Sequence, residues 1–420
     1  MQRIHWLDGL RGIAAFIVAF NHFFCGELQT PFRSFWAEPP EQNRRVIQLP
    51  PFRLLWALDA MVPLFMVVSG YTISHALLKF RDSNAGLFPD RLRSSIFRRP
   101  IRLFLPALFL TSCTQLLLYF GVYEDWLEKR LATHIKPCQS PWTHVRYLFD
   151  YVMDMMNILQ LQWNNDFNGH LWTMPLELRG SYIVYFTIFV QAAWRPHARL
   201  WCLGLMFTYL LWYGEWDSFS FIAGLGLAEI HISPRNTVVK AHWTAFYVLR
   251  SAIALYLICL SAEDGYPPDY SFLSKFETPH WQLYDTWINV RRVWHAIGAV
   301  LFFSVALESP RLQRLLTTRV PQELGRLSFP IYLLHLPMYH MWSWFLRSHI
   351  WLLLWRRDYP SPEEEGRNMG PLVTVYILAG SILGGVVIIL AELYNRFLDP
   401  QFGRLTRSIE MWLLQKDHRE

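Results

Sequence analysis

The sequence predicts an all-α, polytopic integral membrane protein with about ten transmembrane helices and both termini in the cytosol. Of its 420 residues, 53% are hydrophobic and only 17% are charged, whereas a soluble domain carries about 25% charged residues. The 20 Trp and 19 Tyr residues suit aromatic belts at two membrane interfaces. Apolar segments of spanning length recur along the chain between short polar connections.

The chain, 1–420, is predicted to be one transmembrane domain. The predicted spans are 10–26, 54–78, 103–123, 170–193, 200–213, 218–232, 243–261, 293–307, 327–354 and 371–395. Lys and Arg are more frequent in the segments that this arrangement places in the cytosol, as the positive-inside rule requires. The first apolar segment lacks a small-residue cleavage site, so we expect a retained signal anchor. The bilayer is thus the first expected partner.

Charge and cysteine content exclude other classes. The net charge is +6, but the basic residues lie between apolar segments, which indicates topology signals and no nucleic-acid partner. The cysteines are scattered without a CxxC motif or other ligand spacing: Cys25, Cys113, Cys138, Cys202 and Cys259. Neither a disulfide framework nor a metal site is predicted.

The first span carries two ionisable residues, Arg11 and His22. In a regular helix, 11 residues turn through about 1100°, so both side chains would share one face about 16 Å apart. Each such group costs several kcal/mol in lipid unless it faces protein or water. The spacing therefore predicts a polar lane into the membrane, with Asp8 beside Arg11 at the i+3 position.

Two further segments contain polar residues for which two explanations are possible. Ser69 precedes Gly70 in the second span, where small residues allow close helix packing; a nucleophilic serine is the alternative. Arg98, Arg99 and Arg102 precede the third span. They are either helix-end arginines that reach the interface or a phosphate-binding cluster.

The fourth and ninth spans add buried candidates. His170 and Glu177 are seven residues apart and would share a helical face, although Pro175 is expected to disturb or kink the helix. Glu177 is either a hydrogen-bonded anchor or a site residue, since Arg179 points to another face. His335 either bonds a neighbouring helix or belongs to a site.

Together these residues resemble the signature blocks of the acyltransferase 3 family of membrane O-acyltransferases. In chain order the blocks are Asp8-Gly-Leu-Arg11-Gly with His22, Phe65 to Tyr71, Arg98 to Pro106, His170 to Glu177, and Gly325 to Pro337. The usual Trp-Ser pair of the fourth span is Trp172-Thr173 here, which keeps a hydroxyl. We expect no esterase-like domain after the tenth span, so the chain looks like the fungal members, some of which acylate small natural products.

The resemblance implies a role for each block. The expected catalytic residues are His22, Arg11 and Glu177, the acyl-donor residues are Arg98, Arg99 and Arg102, and the other polar interior residues are Asp8, Ser69, His170 and His335. His22 is expected to act as the base that deprotonates the acceptor hydroxyl, because neutral imidazole suits that task near pH 7. Transfer through an acyl-imidazole on His22 is the alternative.

The implied reaction transfers an acyl group, most simply acetyl, from acyl-CoA as co-substrate to a hydroxyl of a natural product or carbohydrate. No permanently bound cofactor is expected. If the organism is eukaryotic, the expected location is the endoplasmic reticulum membrane. A transporter with an intramembrane Arg/His lane is the competing class, and an inactive receptor or scaffold is a third.

Overall fold

The computed structural model describes residues 4–25, 32–123, 136, 140–161, 168–232, 244–261, 263, 265–282, 286–360 and 369–413. In this part of the chain the structure is helical and contains no strand. The α-helices are α1 (His5–Phe20), α2 (Leu58–Ser83), α3 (Phe88–Tyr119), α4 (Pro141–Met156), α5 (Thr173–Val190), α6 (Pro196–Trp212), α7 (Trp216–Ile232), α8 (Thr244–Ile258), α9 (Thr286–Glu308), α10 (Pro310–Leu316), α11 (Arg319–Trp355), α12 (Met369–Leu393) and α13 (Asp399–Leu413). The predicted all-helical class is confirmed for these residues.

Several described helices are suited to a bilayer. Five are long and apolar enough to cross it: His5–Phe24, Leu58–Ser83, Ala85–Tyr119, Trp287–Glu308 and Gly370–Leu413. A shorter apolar helix covers Phe246–Ile258. These helices fit a membrane protein, whereas ten spans and cytosolic termini stay predictions. Of the predicted span limits, residues 26 and 243 lie outside the described residues, as does Cys138.

Packing divides the chain into two compact units. The first contains the described residues of Met1–Ile17, Leu28–Arg99 and Leu176–Gly325, and the second those of Val18–Glu27, Pro100–Pro175 and Arg326–Glu420. Among the predicted site residues, Asp8, Arg11, Ser69, Arg98, Arg99 and Glu177 belong to the first unit, and His22, Arg102, His170 and His335 to the second.

In the first unit, α2 and α7 cross at two glycines. A Cβ built on Gly70 would lie 2.4 Å from the Phe221 carbonyl oxygen, and one on Gly224 would lie 2.4 Å from the Val67 carbonyl oxygen. Only glycine, which lacks a Cβ, permits such close backbone contact between helices. This kind of contact is common in close helix packing in membranes. The close approach expected at Ser69-Gly70 is therefore present.

A second crossing in the first unit joins α1 to the start of α11. A Cβ on Gly12 would lie 2.3 Å from the Gly325 amide nitrogen, and a Cβ on Gly325 would lie 2.3 Å from the Asp8 carbonyl oxygen. The glycines of the first and last signature blocks thus allow these two helices to touch, which places Asp8 in the contact.

A buried arginine joins two connecting segments of the first unit. Arg53 donates to the carbonyl oxygens of Cys259 at 2.6 Å and Phe32 at 2.5 Å. Burial lowers the pKa of Arg53 below its usual value. Because each carbonyl accepts from the guanidinium, Arg53 fixes the segment before α2 against the end of α8.

In the second unit, α1 continues into a π-helical turn, Asn21–Cys25. Helix α12 packs on this turn, since a Cβ on Gly380 would lie 3.0 Å from the Phe23 carbonyl oxygen. The regular helical spacing assumed for Arg11 and His22 therefore holds only as far as Phe20. Their shared face stays a prediction.

Candidate active site

An ion pair in the first unit connects three predicted site residues. Arg99 of α3 pairs with Glu177 of α5, and both bond Ser69 of α2, whose hydroxyl donates to the carboxylate and accepts from Arg99 at 3.2 Å. Arg99 also donates to Ser181 at 3.0 Å. The side chains of Arg99 and Glu177 are 24% and 19% exposed. Glu177 thus has the charged partner that a largely buried carboxylate requires.

Arg179, the next charged residue of α5, has other partners. Arg179 bonds Asp217 at 2.7 Å and Glu215 at 3.1 Å, and so points away from Glu177 as the helical spacing predicts. The sequence did not predict the Arg99–Glu177 pair, because the two residues are 78 positions apart. The contacts of Glu177 with Arg99 and Ser69 support its interpretation as a hydrogen-bonded anchor. Its catalytic role stays a prediction.

The start of α5 differs from the expected helix. His170 lies in a 3₁₀ turn, Gly169–Trp172, and the α-helix begins at Thr173. Pro175 therefore occupies the first turn, where a missing N–H costs nothing, and the predicted kink at Pro175 is wrong. The assumption of one regular helix from His170 to Glu177 is also wrong, because the 3₁₀ turn changes the spacing.

The other predicted arginines have separate surroundings. Arg11 lies 3.7 Å from Asp8, in the predicted i+3 pair, and its side chain is 42% exposed. Arg98 is half-buried and Arg102 is exposed. Because Arg98 and Arg102 are four residues apart on α3, they lie near the same helical face.

Three predicted histidines of the second unit come together. The ring centroids of His22 and His335 are 5.2 Å apart, and those of His170 and His335 are 5.1 Å apart. His170 is 7% exposed and His335 is 1% exposed, while His22 is half-buried. We call His22, His170 and His335 the histidine cluster. Its members come from the π turn, the 3₁₀ turn and α11, which are distant in sequence.

Backbone carbonyls determine which nitrogens carry hydrogen in two of these rings. His335 Nδ1 lies 2.8 Å from the Tyr332 carbonyl oxygen, and His170 Nε2 lies 3.1 Å from the Leu333 carbonyl oxygen. A carbonyl oxygen only accepts, so each of these nitrogens is the donor. In the neutral rings, His335 Nε2 and His170 Nδ1 then carry lone pairs. Both rings are fixed as hydrogen-bond acceptors at their other nitrogen.

Two hydroxyl residues that sequence reasoning gave no role support this arrangement. Tyr332 donates to the His170 carbonyl oxygen at 2.6 Å, and Thr173 Oγ1 lies 2.7 Å from the Tyr332 hydroxyl. Since the Tyr332 hydrogen is used, Thr173 is the donor of the second bond. The hydroxyl kept at Trp172-Thr173 therefore links the fourth-span block to the ninth-span block. Both residues lie inside the signature blocks, and this was the sequence feature that could have indicated their role.

Deeper contacts hold the 3₁₀ turn in place. Asn168, which is 1% exposed, donates to Thr114 Oγ1 at 2.7 Å, and its carbonyl accepts from the Tyr151 hydroxyl at 2.9 Å. These bonds tie the segment before His170 to α3 and α4. In the neutral form, the imidazole nitrogens that carry a lone pair can accept protons or hydrogen bonds.

Among the described residues, no group of three or more His, Cys, Asp or Glu side chains is placed to hold a metal ion. The arrangement supplies imidazole acceptors in the second unit and a guanidinium–carboxylate pair in the first.

Comparison with known proteins agrees with the resemblance seen in the motifs. The family model described as "Acyltransferase domain", that of the acyltransferase 3 family, matches residues 4–390. The O-acetyltransferase PaAT-1 of Phomopsis amygdali is 26% identical, over 79% of this chain and 71% of that protein. The acyltransferase clz18 of Cochliobolus lunatus is 23% identical, over 96% of this chain and 95% of that protein. No solved structure matches the chain. Because the family model covers nearly all of the sequence, including every predicted site residue, the chain belongs to the acyltransferase 3 family.

Proposed function

We propose that this acyltransferase transfers an acyl group, most simply acetyl, from acyl-CoA to a hydroxyl of a small molecule such as a natural product or carbohydrate. One of its relatives is named an O-acetyltransferase, which supports oxygen as the acceptor atom. The observation that carries the proposal is the histidine cluster, because acyl transfer to a hydroxyl requires a base near neutral pH.

His22 is the proposed base. It lies in the π-helical turn at Asn21–Cys25, and such turns occur often at functional sites. In the proposed step, the acceptor oxygen attacks the thioester carbonyl carbon, the C–O bond forms and the C–S bond breaks. The hydroxyl proton passes to His22 and then to the departing thiolate of CoA, so charge and atoms balance. The alternative is an acyl-imidazole on His22, which would accumulate when the acceptor is withheld.

The arginines of α3 are the proposed contacts for the acyl donor. Guanidinium groups bind phosphate bidentately, and CoA carries several phosphates. Arg99 already pairs with Glu177, so its charge is balanced within the first unit. The residues to substitute in a test of CoA affinity are Arg98 and Arg102, one half-buried and one exposed on α3. Arg11, oriented by Asp8, is proposed to stabilise charge that develops during transfer.

The environment of the reaction is part of the proposal. The helices of spanning length support a location in a bilayer, and for a eukaryotic organism we propose the endoplasmic reticulum. A site within packed helices excludes water, which favours transfer to the acceptor over hydrolysis of the thioester.

The test uses purified protein in detergent micelles, where no gradient exists to drive a transporter. Acetyl-CoA is supplied with a metabolite extract from a strain that lacks this gene, and acylated products are detected by mass spectrometry. The wild type should form a product and free CoA in equal amounts. His22→Ala should form both at least about 100-fold more slowly, while His349→Ala, at an exposed histidine of α11, should behave as wild type. Product formation by His22→Ala at the wild-type rate would refute the base role, and its absence in the wild type would refute the function.

A further inference from the structure

One side of α4 is apolar and exposed along the whole helix. The side chains on it are three or four residues apart, which places them in one stripe. Their exposed fractions run from 44% to 73%, and we call them the apolar stripe: Trp142, Val145, Phe149, Met153 and Met156. Proteins rarely leave so long a row of apolar side chains in water, so a partner is expected to cover it.

The inner side of α4 packs on the end of α3. The Gln115 amide nitrogen donates to His144 Nδ1 at 2.8 Å, and the rings of His144 and Tyr119 meet edge to face with centroids 5.1 Å apart. From Leu103 to Tyr119, α3 has no charged residue. That part of the helix rises about 26 Å, close to the thickness of the hydrocarbon core of a bilayer. Helix α4 therefore packs at the level where α3 reaches the membrane surface.

A charged stripe runs beside the apolar stripe. Its members, Arg146, Asp150 and Asp154, are four residues apart. Arg146 Nε lies 4.0 Å from Asp150 Oδ2, and these two side chains are 77% and 65% exposed. At about 100° per residue, the centres of the two stripes are about 100° apart around the helix. The surface of α4 that faces away from α3 thus has an apolar side and a charged side, both parallel to the helix axis.

One orientation of α4 suits both sides. If the helix crossed the bilayer, its charged stripe would face hydrocarbon, which strongly disfavours ionised groups. If it lay wholly in water, the apolar stripe would be hydrated along its full length. With the helix axis in the plane of the membrane, the apolar stripe enters the acyl chains while the charged stripe stays among headgroups and water.

We infer that α4 lies in the membrane interface, with its axis along the membrane plane and its apolar stripe inserted among the upper acyl chains of neutral phospholipids. The charged stripe carries one arginine and two aspartates, so it does not attract anionic lipid, and burial of apolar surface supplies the binding. Trp142, at the start of the stripe, is of a residue type enriched at this level of a bilayer.

This position connects the lipid surface to the histidine cluster. On the inner side of α4, the Tyr151 hydroxyl donates to the Asn168 carbonyl oxygen at 2.9 Å. Asn168 directly precedes the 3₁₀ turn that contains His170. A helix held by lipid therefore bonds the segment that carries one of the cluster's buried rings.

The test uses the whole protein in nanodiscs of phosphatidylcholine. The photoreactive residue p-benzoylphenylalanine, which forms bonds to nearby C–H groups under ultraviolet light, replaces one side chain at a time. Val145, Phe149 and Met153 are the positions on the apolar stripe, and Arg146 and Asp150 are their neighbours on the charged stripe. All five side chains are exposed, so the replacements should leave the packing of α4 intact. Adducts are identified by mass spectrometry.

The apolar positions should give lipid adducts in several-fold greater yield than the two charged positions. Lipid adducts in equal yield at all five positions would indicate a helix that crosses the bilayer, and their absence at all five would indicate a helix in water. Protein–protein adducts in place of lipid adducts would show that a second copy covers the stripe. Each of these three results would overturn the inference, and none depends on acyl transfer.

A second measurement needs no substitution. The wild-type protein is illuminated in nanodiscs whose phosphatidylcholine carries a photoreactive diazirine in its acyl chain. Labelled peptides should include Pro141–Met156, with the lipid attached at residues of the apolar stripe. Labelling of the spanning helices without labelling of this segment would also overturn the inference.

Discussion

The crossing of α2 and α7 should respond sharply to one methyl group. The change is Gly224→Ala, because a Cβ there would lie 2.4 Å from the Val67 carbonyl oxygen and 2.6 Å from the Tyr71 amide nitrogen. Both atoms belong to the backbone and cannot rotate away. Ordinary contact requires about 3.4 Å or more, so the helices must separate by about 1 Å and lose packing along the crossing.

The matched control is Gly226→Ala, two residues further along α7, where no atom lies within 4 Å of the built Cβ. Alanine is favoured over glycine in a helix by about 0.5–1 kcal/mol, so this variant should be neutral or slightly more stable. Gly224→Ala gains the same propensity but suffers overpacking that typically costs about 1–3 kcal/mol. We expect a net loss of about 1–2 kcal/mol for Gly224→Ala.

The assay is reversible unfolding by SDS in mixed micelles, followed by the fluorescence of the chain's 20 Trp residues. The free energy of unfolding should be lower for Gly224→Ala and equal or higher for Gly226→Ala. Adding Gly70→Ala to Gly224→Ala should cost less than the sum of the single changes, because both act on the same separation. Equal stabilities of Gly224→Ala and Gly226→Ala would refute the close crossing.

Three further predictions concern polar contacts. A double-mutant cycle with Arg99→Met and Glu177→Gln should give a coupling energy of about 1–3 kcal/mol in SDS unfolding, and additive effects would contradict the pair. Burial raises the pKa of Glu215 above its ordinary 4.5, so folding disfavours its charged form and stability is lost as pH rises through the raised value. Between pH 4.5 and 7 the wild type should therefore lose more stability than Glu215→Gln, and parallel stability–pH curves would count against this. Thr173→Val should lower stability by about 0.5–1.5 kcal/mol through loss of its bond to Tyr332, whereas Thr173→Ser should keep it; equal effects of the two changes would argue against the bond.

Much of the helical framework could be predicted from apolar length and charge alone. The structure places α2 at Leu58–Ser83 and α12 at Met369–Leu393, close to the predicted spans 54–78 and 371–395. The close packing at Gly70 was also predictable, since small residues in membrane helices mark contacts. A continuous apolar segment indicates the position of a helix without knowledge of the rest of the fold.

The departures arise where local hydrogen bonding changes the helical period. The π turn at Asn21–Cys25 and the 3₁₀ turn at Gly169–Trp172 interrupt the 3.6-residue spacing on which both face arguments depended. No simple residue pattern predicts either turn. Predictions of a shared face for residues on opposite sides of such a turn therefore need a structure.

Partners across helices were the least predictable feature. The sequence marked His170 and His335 as polar interior residues but did not indicate that their rings meet. It marked Arg99 and Glu177 separately and missed their ion pair. Such contacts depend on how the helices pack. A single sequence shows which residues are available for a contact but not which of them meet.

The role of His22 as the base is tested most directly by the rate of acetyl transfer from acetyl-CoA by purified protein, compared between wild type and His22→Ala at equal amounts of folded protein. The wild type should form product and CoA in equal amounts, and the rate should fall at least about 100-fold in His22→Ala, as expected for removal of a general base. Equal rates in the two proteins would contradict a base role for His22.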